Sequence, residues 1–405
     1  MARTRTLLIT IGKTFRGLRA GWLMLGIALL MLAALELALR AGFAFKDSVF
    51  KPTHPETAVL ARGYGGETWP VDYFRDEARM RDRWHSYVYF RHVPFRSPHI
   101  NIDADGLRFT WDDAAARARI GGKERLIYVF GGSTAWGVAA RDDATIPSML
   151  ARDLVGRGWN VRVKNFGEIG YVSTQEVVAL LRCLQAGERP DLVVFYDGVN
   201  DVTAALQEGR AGVPENEDNR RREFNSTQNP GRLVNALGYS LIHDSALFRL
   251  AGSLQSRLRG ADAGLAVKFA TLDADARAKL ADEVLSTYAA NVRLVESLAE
   301  AYKFEAEFCW QPVVFTKPRL DPYESSEARK YAPLQPLMLD VYERLPRQTE
   351  LVSNPRFHDL SRILDDSDTL DFIDFCHVTE AADARIASRI AVDLNQALKL
   401  TESHR

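Results

Sequence analysis

Short apolar runs alternate with longer amphipathic segments over residues 125–400. The runs that read as buried strands are "RLIYVF", "NVRVKNF", "DLVVFYDG", "FEAEFCW" and "TLDFID". Other segments repeat their apolar positions with the period of a helix, such as "TIPSMLARDLVGRG", where Thr145 is the predicted N-cap and Pro147 lies in the first turn. Because helices alternate with strands, the pattern predicts a three-layer α/β/α domain around a five-stranded parallel sheet.

A separate apolar stretch lies near the N-terminus, at residues 20–39 ("AGWLMLGIALLMLAALELAL"). About 20 apolar residues allow a helix to cross the hydrocarbon core of a membrane. Basic residues precede the stretch, which on the positive-inside rule keeps the N-terminus cytoplasmic and places the rest of the chain outside. Glu36 would pair with Arg40 near the far interface. We expect a single-pass anchor; a cleaved signal peptide and a buried helix are the alternatives.

The sequence divides into three predicted regions. Residues 1–43 form a basic tail and transmembrane anchor, residues 44–124 a juxtamembrane module, and residues 125–400 the main domain. An insertion at about 202–275 interrupts the main domain, and its charged centre, "EGRAGVPENEDNRRREFNSTQNPGR", favours a mobile loop. The insertion is a candidate lid in which "LVNALGYSLIHDSALFRL" would touch the bilayer, an ordinary packing helix being the alternative.

Charge and cysteine content argue against several classes of protein. Lys and Arg total 52 against 53 Asp and Glu, so the chain lacks the basic excess typical of nucleic-acid binders. Its three cysteines form no CxxC pair, and its eight histidines form no HExxH motif. We therefore predict no nucleic-acid partner, no metal and no cofactor.

The candidate chemistry lies where the predicted strands end. In an open parallel sheet, ligands bind outside the carboxyl ends of the strands. Ser133 follows the first predicted strand, and Asp374 and His377 lie at the end of the last. A serine hydroxyl is a weak nucleophile unless a base removes its proton. These residues therefore predict a triad in which Ser133 attacks an acyl carbonyl, His377 is the base and Asp374 orients the imidazole.

Other strand ends supply candidate donors for an oxyanion hole, which has to be in place before the carbonyl is attacked. The backbone N–H groups of Ser133 and Gly170 are two such donors, and the side-chain amide of Asn200 is the third. Gly131 and Gly132 would permit the tight turn that presents the hydroxyl and the amide of Ser133.

These motifs resemble the four blocks of the SGNH (GDSL-type) hydrolase family over about residues 125–400. The matching residues are Ser133 in "FGGSTAWG", Gly170 in "NFGEIGY", Asn200 in "DGVND", and Asp374 with His377 in "DFCH". The visible departure is Gly132, which stands where the family usually has aspartate. The resemblance implies the fold of this family and a serine esterase that works through an acyl-enzyme.

The ester substrate is the open part of the prediction. A tethered, outward-facing enzyme with "WQP" at a strand end suggests an O-acetylated carbohydrate, with Trp310 and Gln311 as candidate substrate contacts. Core packing is the alternative reading of Trp310. Three alternatives use the same site: transfer of the acyl group by an O-acyltransferase, hydrolysis of a lipid ester, and hydrolysis of another small acylated substrate. A membrane-anchored glycan-binding or assembly protein without turnover is the non-enzymatic alternative.

Overall fold

The computed structural model describes residues 2–49, 64, 66–226, 245–248, 250 and 272–403, without the side chains of 2–18, 44–49, 396, 397 and 399–403. Contacts divide the chain into two compact units. One comprises residues 1–54 and 221–267, and the other comprises residues 55–220 and 268–405. Most of the candidate lid segment at 233–250 lies outside the described residues. The domain boundaries drawn from the sequence stay predictions.

The first unit contains α1 (Ala2–Val49). Between Arg19 and Phe43 this helix is long and apolar enough to cross a membrane, and none of this stretch is buried. The Glu36 carboxylate accepts a hydrogen bond from Arg40 Nε at 2.7 Å. It also accepts the backbone N–H groups of Ala246 at 2.7 Å and Leu247 at 3.1 Å. These donors satisfy a carboxylate that would otherwise be costly in an apolar helix.

The remaining elements follow in chain order. The strands are β1 (Asp82–His85), β2 (Tyr89–His92), β3 (Phe95–Arg96), β4 (Asn101–Ile102), β5 (Arg125–Gly131), β6 (Val161–Asn165), β7 (Leu192–Asp197), β8 (Glu305–Trp310) and β9 (Phe357–Asp359). The helices are α2 (Trp69–Glu77), α3 (Ala114–Ile120), α4 (Ser133–Trp136), α5 (Ile146–Gly156), α6 (Ser173–Gln185), α7 (Val199–Glu208), α8 (Glu217–Ser226), α9 (Ala274–Tyr302), α10 (Pro322–Lys330), α11 (Gln335–Arg344), α12 (Thr349–Val352) and α13 (Glu380–Ser403). Short 3₁₀ turns lie at Asp142–Ala144, Val314–Thr316 and Leu345–Arg347.

A parallel sheet with the strand order β6-β5-β7-β8-β9 forms the centre of the second unit. Side chains alternate between its faces along each strand. On one face, Phe130, Phe195 and Phe308 pack against α6, α7, α9 and α11. On the other face, Val129 and Val194 pack against α5 and α13. Helices therefore cover both faces, which confirms the predicted three-layer α/β/α fold with a five-stranded parallel sheet.

Local signals locate most of these elements. Four of the five predicted strands correspond to β5, β6, β7 and β8. Helix α5 begins after Thr145, whose side-chain oxygen accepts the N–H of Ser148 at 3.3 Å, with Pro147 in the first turn as expected. Strong periodicity combined with a cap is enough to define such a helix from the sequence.

The fifth strand is not where the sequence predicts it. The segment "TLDFID" (369–374) does not join the sheet, and β9 pairs with β8 instead. The N–H groups of Asp371 and Phe372 each donate to the Glu324 carboxylate at 2.9 Å, so they are unavailable for a strand ladder. Phe372 is fully buried, which accounts for the apolar pattern that resembled a strand. The prediction of this strand was wrong because a side chain from a distant helix binds its backbone.

The chain before the sheet forms two small antiparallel pairs, β1 with β2 and β3 with β4. A turn follows β4, with Gly106 at a φ of +85° and its N–H donating to Asp103 O at 3.2 Å. Arg108, just beyond this turn, forms an antiparallel bridge to Asn165 at the end of β6. This segment therefore extends toward the carboxyl end of the sheet, where the candidate site lies.

Candidate active site

Ser133 stands at the first position of α4, directly after β5 and a two-glycine turn. Gly131 has a φ of +152°, and a Cβ atom there would lie 2.6 Å from both Ala135 Cβ and Tyr196 O. Only glycine fits this turn. The N–H of Ser133 is in the first turn of the helix, where backbone donors have no intrahelical acceptor. The turn therefore presents the hydroxyl and the N–H of Ser133 on the same side of the chain.

Ser133, His377 and Asp374 form a continuous hydrogen-bonded chain. Ser133 Oγ lies 2.7 Å from His377 Nε2, and His377 Nδ1 lies 2.6 Å from Asp374 Oδ2. With a proton on Nδ1, the imidazole donates to the carboxylate and accepts from the serine hydroxyl, the tautomer that this network selects. The other carboxylate oxygen, Asp374 Oδ1, accepts the N–H groups of Cys376 at 2.8 Å and His377 at 2.7 Å. The structure thus brings together the residues predicted from the two ends of the domain.

Charge and burial act in opposite directions on this pair. Burial alone would lower the pKa of His377, but the Asp374 carboxylate raises that pKa well above its usual range. Burial would likewise raise the pKa of Asp374, but the charge and the hydrogen bond of His377 hold it below its usual range. The pair therefore favours an ionised carboxylate beside an imidazole that binds a proton readily.

Asn200 lies between the nucleophile turn and the loop that carries Gly170. Its Nδ2 donates to Tyr171 O at 2.7 Å, the residue after Gly170. Its Nδ2 would also lie only 2.0 Å from a Cβ atom on Gly132, the residue before Ser133. Gly170 has a φ of +79°, which favours glycine at that position. One N–H of the Asn200 amide is used by Tyr171 O, and the group carries a second.

The Asn200 amide leaves no room for a side chain at position 132. The backbone of Gly132 has a φ of −80°, which any residue adopts. The space where a side chain would begin is instead occupied by the Asn200 amide. An aspartate at this position would require Asn200 to move away from Tyr171. A side chain at position 132 and the present position of the Asn200 amide therefore exclude each other in this chain.

Asp201, next to Asn200, joins the third motif to the second. Its Oδ1 accepts the hydroxyl of Ser173 at 2.6 Å, and the carboxylate also accepts the Ser173 N–H at 3.3 Å at the start of α6. Asn291 Nδ2 donates to the same Ser173 hydroxyl at 2.9 Å. Burial raises the pKa of Asp201 to about 6. The Asp201 side chain therefore binds the start of the neighbouring helix.

Sequence reasoning missed two residues that fix the loop after the nucleophile. The Arg108 side chain is fully buried and donates to Asp142 at 3.0 Å, to Gly137 O at 2.5 Å and to Ala140 O at 2.6 Å. Tyr73 OH donates to Gly137 O at 3.1 Å. No local pattern around "GLRFT" marks Arg108, since its acceptors lie about 30 residues away. The segment before the sheet thus holds the backbone that follows Ser133.

Trp310 and Gln311 are not placed as substrate contacts would be. Trp310 is fully buried, and its ring lies edge-on to Tyr288 at 5.0 Å and near Tyr342 at 5.8 Å. Gln311 is 3% exposed, and its Oε1 accepts the Thr134 hydroxyl at 3.1 Å. A ring enclosed in the core presents no face on which a sugar can stack. The prediction for Trp310 is therefore corrected to core packing, and Gln311 supports the helix that begins with Ser133.

Among the described residues, one group of side chains has the composition of a metal site: Asp374, Cys376 and His377, whose ligand atoms lie within 4.8 Å of one another. The Asp374 and His377 atoms are 2.6 Å apart and joined directly by a hydrogen bond. Burial raises the pKa of the Cys376 thiol to about 11, so this sulfur stays protonated near neutral pH. The donor set fits the hydrogen-bonded triad better than a metal ion.

Comparison with known proteins adds a likeness at the level of fold. No family model and no curated protein matches the chain. The similar solved structures include a lipolytic protein of the G-D-S-L family from Veillonella parvula (12% identity over 67% of this chain and 97% of that chain, TM-score 0.36). They also include the acetyl xylan esterase AlAXEase (12%, 67% and 98%, TM-score 0.33). A variant of Axe2, an acetyl-xylooligosaccharide esterase from Geobacillus, is also similar (14%, 68% and 95%, TM-score 0.36). Because these TM-scores are low, the functional assignment rests on the geometry of the site.

The raised pKa of His377 predicts a displaced pH profile. Only a neutral imidazole accepts the serine proton, so ester turnover should rise with pH through the pKa of His377. Because Asp374 raises this pKa, the acidic limb of kcat/KM should lie above about 6.5, the ordinary value for histidine. In Asp374→Asn the raising charge is lost while burial still lowers the pKa, so the limb should move to lower pH. A kcat/KM profile from about pH 5 to about pH 10 measures both positions.

Glu77 provides the control for this profile. This carboxyl group on α2 interacts with His377 at longer range, and burial raises its own pKa. In Glu77→Gln the acidic limb should persist, because the group that titrates is the imidazole. Loss of the limb in Glu77→Gln, or an unmoved limb in Asp374→Asn, would contradict the assignment to His377.

Substitution of Gly132 tests the position of Asn200. Gly132→Ala suits the backbone but places a methyl group on the Asn200 amide, which has to rotate away. Loss of one oxyanion donor typically lowers kcat by about 10²–10³-fold. We expect a loss of this size in Gly132→Ala and a similar loss in Asn200→Ala. The double variant should lose little more than either single one, since both remove the same donor; additive losses would show that the two residues act separately.

Arg108 should be essential for the stability of the second unit. Arg108→Met removes the hydrogen bonds to Trp136 O, Gly137 O and Ala140 O and leaves the Asp142 carboxylate without its buried cation. Breaking a buried ion pair from one side typically costs about 3–5 kcal/mol. Urea denaturation should show a loss of this order, whereas the exposed Arg83→Met should cost less than about 1 kcal/mol. Equal losses in the two variants would count against this role of Arg108.

Proposed function

We propose that this chain is a serine ester hydrolase of the SGNH type. The observation that supports this best is the hydrogen-bonded chain from Asp374 through His377 to Ser133, with contacts of 2.6 Å and 2.7 Å. The hydroxyl of Ser133 attacks the acyl carbonyl while His377 Nε2 takes its proton. Asp374 stabilises the imidazolium that forms. The imidazolium then protonates the departing alcohol, and water activated by the same imidazole hydrolyses the acyl-enzyme.

The tetrahedral intermediate of each step carries a negative oxygen that needs fixed donors. In this proposal the backbone N–H groups of Ser133 and Gly170 and the second N–H of Asn200 supply them. The contact of Asn200 with the turn at Gly132 and its bond to Tyr171 O support this, because they hold the amide beside both candidate backbone donors. Such donors stabilise the transition state without having to reorganise during the reaction.

We further propose that the enzyme is anchored by α1 and acts outside the cytoplasm on an O-acyl ester, an O-acetylated carbohydrate being the first candidate. The apolar helix from Arg19 to Phe43 and the basic residues before it support this orientation. A tethered domain on that side would meet acylated polymers and lipids of the cell surface. The burial of Trp310 removes the stacking argument for a sugar. The carbohydrate candidate therefore rests on location alone, and that location suits a lipid ester equally.

A fluorophosphonate probe tests the proposed nucleophile. Mass mapping of the full-length chain in detergent should locate the adduct on Ser133, because only an activated serine reacts with the probe. Ser133→Ala should lose labelling and lower p-nitrophenyl acetate hydrolysis by about 10³-fold or more. Ser297→Ala, which changes an exposed serine of α9, is the matched control and should retain both. Equally negligible rates for the wild type and Ser133→Ala would favour a binding or assembly protein without turnover.

Product analysis separates hydrolysis from acyl transfer, since both share one acyl-enzyme. With an acyl ester as donor and an oligosaccharide as acceptor, a hydrolase releases free acid and a transferase yields acylated sugar. We expect free acid as the main product. Acylated oligosaccharide as the main product would replace the hydrolase by an O-acyltransferase that uses the same residues.

A further inference from the structure

A buried lysine lies behind the loop that carries the acid and the base. The side chain of Lys317 is 1% exposed, and its two carboxylate partners, Glu324 and Asp371, are 0% and 4% exposed. Lys317 Nζ donates to both oxygens of Glu324 at 2.8 and 2.9 Å and to Thr369 O at 2.8 Å. It also lies 2.9 Å from Asp371 Oδ2. Buried charges are costly unless they are paired in this way.

Glu324 uses the same carboxylate to bind the backbone of that loop. Its Oε1 accepts the N–H groups of Asp371 and Phe372, each at 2.9 Å. Its Oε2 accepts the N–H of Asp321 at 2.8 Å, which closes the capping box at the start of α10. One residue earlier on this helix, Tyr323 OH donates to Ile373 O at 2.7 Å. The first turn of α10 therefore holds three consecutive residues of the loop.

These three consecutive residues lead directly into the acid of the triad. Asp374 follows Ile373, and His377 follows three residues later. Among the described residues the loop pairs with no strand of the sheet. Its backbone closes on itself through Ile373 N–H to His377 O at 2.9 Å and Thr379 N–H to Asp371 O at 2.7 Å, and Val314 N–H donates to Phe375 O at 3.0 Å from outside the loop. A loop closed on itself keeps Asp374 and His377 together but does not set their distance from Ser133. Contacts from outside the loop have to set it.

We propose that Lys317, Glu324 and Asp371 form a buried clamp that sets the position of His377 relative to Ser133. They are positioning residues, since none of them touches the reacting atoms. Lys317 holds the Glu324 carboxylate in place, and Glu324 holds the loop backbone. The expected effect of the clamp on turnover rests on the proposed function. Its expected effect on the loop backbone does not depend on any activity.

The geometry distinguishes this role from general support of the fold. Loss of the clamp leaves the bond between Asp374 and His377 intact, because both residues belong to the same loop. It releases the contact of His377 with Ser133 instead. A displacement of about 1 Å at a catalytic group can lower turnover by about 10²-fold. The rate of the chemical step should therefore fall while substrate binding stays the same.

The test uses the full-length chain with Glu324→Gln, Lys317→Met and the double variant. Glu324→Gln keeps the size of the side chain but replaces one carboxylate oxygen by an amide NH₂ group. This group cannot accept a hydrogen bond from Lys317 or from the backbone N–H groups. Lys317→Met leaves two buried carboxylates, Glu324 and Asp371, without their cation, whereas the double variant leaves only Asp371 unpaired. The double variant is therefore the milder change, and it provides a folded protein if Lys317→Met fails to fold. Leu154→Ala in the core of α5 is the control for a loss of stability that does not involve the loop.

Two readouts apply to each folded variant. Hydrogen exchange of a peptide covering residues 369–379 should be faster in the clamp variants than in the wild type and in Leu154→Ala. Hydrolysis of p-nitrophenyl acetate should show kcat lowered about 10²-fold with KM within about twofold, whereas Leu154→Ala should keep both values below its melting temperature. The acidic limb of the pH profile should stay in place, because the partner that sets the pKa of His377 moves with it.

The outcomes separate the clamp from the proposed function. Faster exchange together with lower kcat supports the proposal in full. Faster exchange in a chain whose wild type neither hydrolyses esters nor labels at Ser133 supports the clamp and overturns the function. Unchanged exchange and unchanged kcat in the double variant would overturn the clamp, as would losses of kcat no larger than those in Leu154→Ala.

Discussion

A partly buried carboxylate that has to remain ionised is the constraint on which the rest of this site depends. Asp374 lies in surroundings that favour its neutral form, and a neutral acid would neither orient His377 nor stabilise a positive imidazole. Two backbone N–H groups and the imidazole offset this desolvation. The acid and all of its donors lie within four consecutive residues, so the loop supplies the hydrogen bonds of the Asp374 carboxylate without contacts from the rest of the protein.

The remaining problem is to bring that self-contained loop to Ser133. The parallel sheet supplies a common edge, and the glycine turn at Gly131 delivers the serine hydroxyl there. Both partners still need contacts from outside their own strands. Arg108 binds the carbonyl groups that follow the serine, and Glu324 binds the N–H groups that precede the acid. The Arg108 cation thus binds backbone acceptors beside the serine, and the Glu324 anion binds backbone donors beside the acid.

The sequence predicted what is encoded locally. Four of the five sheet strands and the cap at Thr145 lie in patterns of ten residues or fewer, and the structure places them as expected. Ser133, Asp374 and His377 come from similarly short patterns, and the structure brings their side chains together. Strand β9 has only three residues, which is too short for a periodic signal. The segment that did look like a strand is held by Glu324, 47 residues away from Asp371. Contacts over such distances leave no periodicity, so the sequence pattern could not predict them.

The same reasoning explains the residues whose roles differ from expectation. Trp310 stands at a strand end, as the site residues do, but the register of β8 turns its ring into the core against Tyr288. Trp310 follows Phe308 by two positions, so the alternation of side chains along β8 places both rings on the same buried face of the sheet. Gly132 is the converse case. It departs from the Gly-Asp-Ser pattern that its block resembles, and in this structure the Asn200 amide fills the space that a side chain there would need. When each sequence block is interpreted separately, Gly132 and Asn200 look independent, although the Asn200 amide occupies the space beside Gly132. Their pairing implies that sequence changes at this site have to be judged across blocks, since the space that one residue gives up is taken by another from a different strand.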